Sequence, residues 1–241
     1  MSERFFISTP ITGDRATLTG PEAHHLVNVM RAKIGDRVTL FDGEGDEFVA
    51  EISSVGRVTL DLKILERQSI NREASVPLIL AVALPKGDRQ KFLLEKAVEL
   101  GAVGLTPLVT ERGVAQPVDS ALERLRRVVV EASKQCGRNQ LLEIYPAEPW
   151  KKFAAAAPAN SSDTLRLIAH PGGKSLREIW QARSSSPNRP FVIAAIGPEG
   201  GFTDDEVAAG IAAGWTTVDL GPRILRVETA TTAIAAWCAL L

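Results

Sequence analysis

The sequence predicts an α/β protein with a largely parallel sheet, preceded by a small β-barrel or curled sheet. Three observations carry this expectation. From Arg37 to Leu65 apolar residues recur at every second position, the period of half-buried strands. From Val76 onward, short apolar runs alternate with stretches of helical period, the pattern of βα units. Between them, the polar stretch Glu66–Ser75 reads as a linker, so the first domain is placed at 1–72 and the second at 73–241.

The first domain is expected to hold strands around Val38 and Leu40, around Phe48, Ala50 and Ile52, and around Val58, Leu60, Leu62 and Ile64. The short glycine-bearing segments Asp42–Gly45 and Ser53–Arg57 join them as hairpins. One helix is predicted from Pro21 to about Lys33, opened by a first-turn proline and closed before Gly35. In the second domain, Val76–Leu84 suits a strand buried on both faces. Asp88 is placed as the cap of a helix burying Phe92, Leu93, Ala97 and Leu100, with Gly101 as its stop. Val103–Val109 is the next strand, and Ser120 with Glu123 forms a capping box for a helix to about Gln135. Further strands are expected at Leu165–Ala169, Phe191–Ile196 and Thr217–Leu220, and an apolar helix at Ala230–Leu241.

Composition narrows the function. The chain has 241 residues, is 45% hydrophobic and carries a net charge of −1. Residues 1–72 carry 9 Lys and Arg against 11 Asp and Glu, and residues 73–241 carry 19 against 18. Neither part suits a protein that coats nucleic acid without selectivity, although a local basic face remains open. Two distant cysteines, Cys136 and Cys238, and three histidines, His24, His25 and His170, give no disulfide framework and no metal-ligand spacing, so no metal is expected. No apolar run reaches the roughly 18 residues of a membrane span, and the first ten residues lack the features of a secretory signal, which reads as cytoplasmic.

Ligands of open α/β sheets collect at the carboxyl ends of the strands. Three segments there stand out: His170-Pro-Gly-Gly173, Gly197-Pro-Glu-Gly-Gly201 and Gly221-Pro-Arg-Ile-Leu-Arg226. In the second, Gly200 and Gly201 let backbone approach a ligand, while Thr203 and Glu206 make a capping box that fixes the next helix. Glu199 is left for chemistry or for holding an amine, though in isolation a plain strand-to-helix turn with a solvated Glu199 is the better reading of the loop. In the third, Arg223 and Arg226 flank Ile224-Leu225 and are suited to a polyanion; an ion pair with Glu228 and solvent exposure explain them equally well. A GxGxxG dinucleotide loop after the first strand and a GxxxxGK[ST] phosphate loop are both missing, which disfavours NAD and ATP.

Taken together, Gly197-Pro-Glu-Gly-Gly-Phe202 and Leu220-Gly-Pro-Arg-Ile-Leu-Arg-Val-Glu-Thr-Ala230 resemble the RsmE family of 16S ribosomal RNA uridine N3-methyltransferases of the SPOUT superfamily. Further marks lie in the same order: Arg4-Phe-Phe, His24 to Arg31 with Gly35-Asp36, Lys86-Gly-Asp with Glu95 to Gly101, and Gln135-Cys-Gly-Arg-Asn139. The similarity covers nearly the whole chain. Val227 stands where the family more often has threonine, and Lys134, Cys136, Gln140 and Leu142 also depart from its usual choices.

The resemblance implies an RNA-binding PUA-like β-barrel followed by a trefoil-knotted α/β methyltransferase domain, working as a homodimer on 16S rRNA of the small ribosomal subunit. It implies S-adenosylmethionine as cofactor, held by His170 and Pro171, by Gly197, Pro198, Glu199, Gly200 and Gly201, and by Leu220, Gly221, Ile224 and Leu225. Catalytic roles fall to Glu199, Arg223 and Arg226, and RNA contacts to Arg4, Arg31, Lys86, Arg89, Arg112 and Arg138. Two other readings stay open: the same chemistry on another rRNA or tRNA nucleotide, and an RNA-binding assembly factor without activity. The knot lies beyond what strand and helix periods reveal, because knotted chains are rare.

Overall fold

A computed structural model describes residues 4–114, 119–156, 164–183 and 189–241. The chain forms two compact units, one of residues 1–73 with 130–141, the other of residues 74–129 with 142–241.

The first unit contains strands β1 (Arg4–Phe6), β2 (Arg15–Thr19), β3 (Arg37–Phe41), β4 (Glu47–Val55) and β5 (Thr59–Gln68). They form one sheet in the order β1-β3-β4-β5-β2, antiparallel except for the β1/β3 pair. Register shifts in the β4/β5 ladder at Val49/Ala50 and Ile52/Ser54 help curl it into a half-barrel. Most of the period-two residues point inward as their spacing requires: Leu40, Ala50, Ile52, Leu60 and Leu62 are buried with Phe5 and Leu18, whereas Val58 precedes β5 and is 69% exposed. β5 also runs through Glu66–Gln68, three residues into the segment expected to be linker.

The expected helix is shorter and differently wound. An α-helical turn, α1 (Gly20–His24), passes into a π-helical turn at His25–Val29, and Arg31 then takes a left-handed conformation at φ 55°. Ala23, Leu26, Val27 and Met30, spaced as one helical face, still meet the core. His24 and His25 are exposed, and the His25 ring lies 6.0 Å from that of buried Phe5.

The second unit contains β6 (Leu78–Val82), α2 (Arg89–Glu99), β7 (Gly104–Val109), α3 (Asp119–Cys136), β8 (Glu143–Ile144), β9 (Glu148–Pro149), α4 (Trp150–Ala156), β10 (Thr164–Ser175), α5 (Leu176–Gln181), β11 (Phe191–Ile196), α6 (Asp204–Ala212), β12 (Thr216–Asp219) and α7 (Val227–Ala239), with the end of α3 belonging to the first unit. The sheet is parallel throughout, in the order β12-β10-β11-β6-β7-β8 with β9 beside β7. From β6 the chain runs outward to β7, while from β11, on the other side of β6, it runs outward to β12, so the connections of this pair leave in opposite directions. That is a switch point, where open parallel sheets leave a crevice at their carboxyl ends.

Two helix expectations need correcting. Asp88 has helical backbone angles and makes no capping bond with its side chain. Phe92 is 48% exposed, because the buried stripe of α2 is Leu93, Leu94, Ala97 and Val98. The capping box at Ser120 involves side chains outside the described residues. α7 begins at Val227, three residues before the expected start, and packs on α2, β6 and β11.

Candidate active site

Three glycine-bearing segments near the carboxyl ends of neighbouring strands build the site. In β10, His170-Pro-Gly-Gly173 is looped out of the pairing with β12, since Ala169 and Lys174 both align with Val218. The segment is therefore a bulge within a strand that resumes to Ser175, where the sequence suggested a loop after its end. Gly173 approaches β12 so closely that a Cβ there would lie 2.7 Å from the carbonyl carbon and oxygen of Thr217. Asp219, at the end of β12, accepts hydrogen bonds from the backbone N–H groups of Gly172 and Gly221, each at 2.8 Å. One carboxylate thus joins the first and third segments.

The second segment, the loop after β11, is braced from below and from one side. Thr203 and Glu206 form the expected capping box of α6. Glu206 is buried, and its other oxygen accepts the backbone N–H of Glu111 at 2.9 Å, tying the chain after β7 to the start of α6. Next to Glu111, Arg112 donates to the carbonyl of Gly200 at 2.8 Å. At Gly197 a Cβ would press on backbone atoms of Phe202 and Gly201, at 3.0 and 3.2 Å. Below the loop, Phe202 packs on Trp150, whose indole N–H donates to the carbonyl of Glu206 at 2.8 Å.

These segments enclose a cavity of about 340 Å³. Every residue the sequence suggested for the cofactor lines it: His170 and Pro171, Gly197 to Gly201, and Leu220, Gly221, Ile224 and Leu225. Arg223 and Arg112 line it too. Sequence reasoning missed the apolar Ile196, Phe202, Val218, Val227 and Ala230, which belong to the flanking strands and helices, and also Asp219. The sequence did carry a signal for Asp219, an acidic residue two before a glycine at a strand end.

Other expected residues go elsewhere. Arg226 is exposed and sits at the N-cap of α7, outside the cavity lining. Glu228 is paired with neither Arg223 nor Arg226: its ion-pair partner is Arg89, whose Nη1 lies 4.0 Å from Glu228 Oε2. Arg89 Nη2 also meets Glu199 Oε1 at 2.8 Å. Arg4 and Arg138, suggested as RNA contacts, are corrected to members of a buried polar network in the first unit. Arg4 pairs with Glu47 at 2.5 Å and donates to Asn139, while Arg138, only 3% exposed, pairs with Glu73. Burial tends to raise the Glu47 carboxyl pKa, but hydrogen bonds from Arg72 and Arg4 outweigh it and hold it below the ordinary 4.5. Guanidiniums so enclosed are not presented to phosphates. Arg31 and Lys86 are exposed. Lys96 and Glu99, three residues apart on α2, form a helical charge pair.

The bonds from Gly172 and Gly221 also hold the Asp219 carboxyl below its ordinary 3.8. A carboxyl lowered on folding stabilises above its unfolded pKa, and the contribution fades as pH falls through the folded one. Asp219→Ala is therefore expected to lower the thermal midpoint at neutral pH, with the gap to the unaltered protein closing as pH falls below about 4. Melting curves across that range check it; a gap independent of pH would contradict it.

Among the described residues no group of three or more His, Cys, Asp or Glu is placed to hold a metal ion, and no helix is long and apolar enough to cross a membrane.

Comparison with known proteins agrees with this geometry. The family described as RNA methyltransferase domain matches residues 72–239, and that described as RNA methyltransferase PUA domain matches residues 18–65. Ribosomal RNA small subunit methyltransferase E of Synechocystis sp. is 36% identical over 226 residues, 90% of this chain and 70% of that protein. The structure of ribosomal RNA small subunit methyltransferase E from Neisseria gonorrhoeae bound to S-adenosyl methionine is 28% identical, with a TM-score of 0.87 over 98% of this chain and 96% of that one. A Legionella pneumophila protein described as a methyltransferase, in complex with bound cofactor SAM, is 30% identical, with a TM-score of 0.86 over 99% and 97% of the two chains.

A half-barrel PUA domain followed by a parallel sheet with three glycine-bearing segments around one cavity defines the SPOUT class of RNA methyltransferases. Within that class, the chain belongs to the ribosomal RNA small subunit methyltransferase E family.

Proposed function

We propose that the chain methylates N3 of a uridine in 16S rRNA of the small ribosomal subunit, with S-adenosylmethionine bound in the cavity of the second unit. The observation that supports this most is the convergence of all three glycine-bearing segments on one cavity. The residues present fit the cofactor. The volume lies in the range of small-molecule sites. Ile196, Val218 and Leu225 offer apolar walls for an adenine ring. Gly197 and Gly173 leave no room for side chains, so the loops present backbone.

Bound there, S-adenosylmethionine supplies an electrophilic methyl group. The chain's part is to bring uridine N3 in line with it and to manage the proton that N3 loses. Glu199, at the rim of the cavity, orients the base or accepts that proton. Arg223, on the lining, and Arg226, at the start of α7, stabilise the uridine anion or a neighbouring phosphate. The PUA unit, taken as residues 1–72, holds RNA, and 73–241 carries the transfer. Among the cations that the resemblance suggests for RNA, Arg31 and Lys86 suit phosphate contact best because both are exposed. A homodimer acting on ribosomal subunits in the cytoplasm completes the reading.

Glu199→Gln is expected to lower kcat by on the order of 100-fold or more while leaving S-adenosylmethionine affinity within about twofold, as removal of a proton-transfer group does. Transfer of labelled methyl to unmethylated small-subunit RNA, with calorimetric binding of the cofactor, tests this. Unchanged turnover removes Glu199 from the mechanism.

A further inference from the structure

One guanidinium touches three elements beside the cavity. Arg89 opens α2, reaches Glu199 on the loop after β11, and faces Glu228 in the first turn of α7. The two carboxylates are unequal. The Glu199 side chain is 38% exposed, whereas that of Glu228 is 10% exposed and its Oε2 has no hydrogen-bond partner. A carboxylate withdrawn from water needs a cation close by, and among the described residues Arg89 is the ion-pair partner of both.

We propose that Arg89 is a positioning residue for methyl transfer: anchored behind by Glu228, it fixes the Glu199 carboxylate at the rim of the cavity. This rests on the methyltransferase reading above, and it replaces the RNA-phosphate role that the sequence suggested for Arg89. Glu199 sits between Pro198 and Gly200 in a turn that holds its backbone but not its side chain. The other charged groups lining the cavity have different tasks or positions. Arg112 is occupied by the Gly200 carbonyl and Asp219 by Gly172 and Gly221, while Asp204 lies in the first turn of α6 and Arg223 is exposed on the third segment. Serving two carboxylates at once suits a planar fork of donors, which a lysine ammonium does not provide.

The test compares kcat, RNA KM and S-adenosylmethionine Kd for Arg89→Gln, Arg89→Lys, Glu199→Gln and the Arg89→Gln/Glu199→Gln pair. If Arg89→Gln folds poorly with Glu228 left unpaired, Arg89→Gln/Glu228→Gln removes the stranded charge. Arg89→Gln is expected to lower kcat on the order of 10- to 100-fold, the cost of a misplaced group, with KM and Kd unchanged. Arg89→Lys recovers part of the loss, and in the Glu199→Gln background Arg89→Gln adds none. A raised RNA KM with kcat intact, and a salt dependence shallower by about one unit, would make Arg89 a phosphate contact and overturn the proposal. Multiplying losses in the double variant would overturn it too, by separating Arg89 from Glu199. The unaltered protein in the same assay keeps the two readings apart. If it transfers no methyl, the function is wrong; if it transfers methyl and Arg89→Gln matches it, only the role of Arg89 falls.

Discussion

Replacing Trp150 by alanine is expected to lower the unfolding free energy by about 3–5 kcal/mol, the usual cost of emptying a buried aromatic site. Trp150 is 1% exposed and packs on Phe202 and Trp215, with ring centroids 4.9 and 5.1 Å away. Its indole N–H also satisfies the Glu206 carbonyl. The site has little freedom to collapse, because Gly210 already lies so near that a Cβ there would stand 2.9 Å from the Trp150 ring. Since Phe202 lines the cavity, the variant should also loosen the loop after β11 and weaken S-adenosylmethionine binding. Urea unfolding and calorimetry measure the two effects. The exposed Phe92 provides the contrast, where alanine should cost within about 0.5 kcal/mol. Equal losses at the two positions would contradict this account of the core.

Gly173→Ala should weaken the cofactor site most directly. The added methyl would meet Thr217 backbone at 2.7 Å and Val218 nitrogen at 2.8 Å, and these strand atoms cannot swing aside as a side chain does. Either the β10 bulge or β12 must move, at about 1–3 kcal/mol, the range for overpacked interiors. Both carry cavity-lining residues, so S-adenosylmethionine affinity should fall by about 10-fold or more, the equivalent of about 1.4 kcal/mol. Gly13, where a Cβ would meet nothing within 4 Å, should tolerate alanine without loss of affinity. Tight binding by Gly173→Ala would show that the bulge does not shape the site.

The sequence disclosed those parts of the site whose causes are local. Glycines in series, a Thr203/Glu206 capping box and strands of period two act within a few residues, and the structure has them where that chemistry required. What it withheld depends on residues far apart in the chain. Arg4 and Arg138 read as surface cations because their acidic partners, Glu47 and Glu73, lie 43 and 65 positions away. The β10 bulge is set by its register against β12, a strand more than 40 residues further on. Phe92 misled because one aromatic residue beside a helical stripe fits either face, and only packing against other elements decides. The end of α3 carries no mark showing that residues 130–141 belong with the first unit.

Incubating unmethylated small ribosomal subunits with the protein and labelled S-adenosylmethionine, then digesting the RNA and identifying the labelled nucleoside by mass, tests the central claim most directly. The account predicts label in N3-methyluridine and nowhere else. Label in a different nucleoside would contradict the assigned base and atom, and cofactor binding without transfer to the subunit RNA would contradict the assigned substrate.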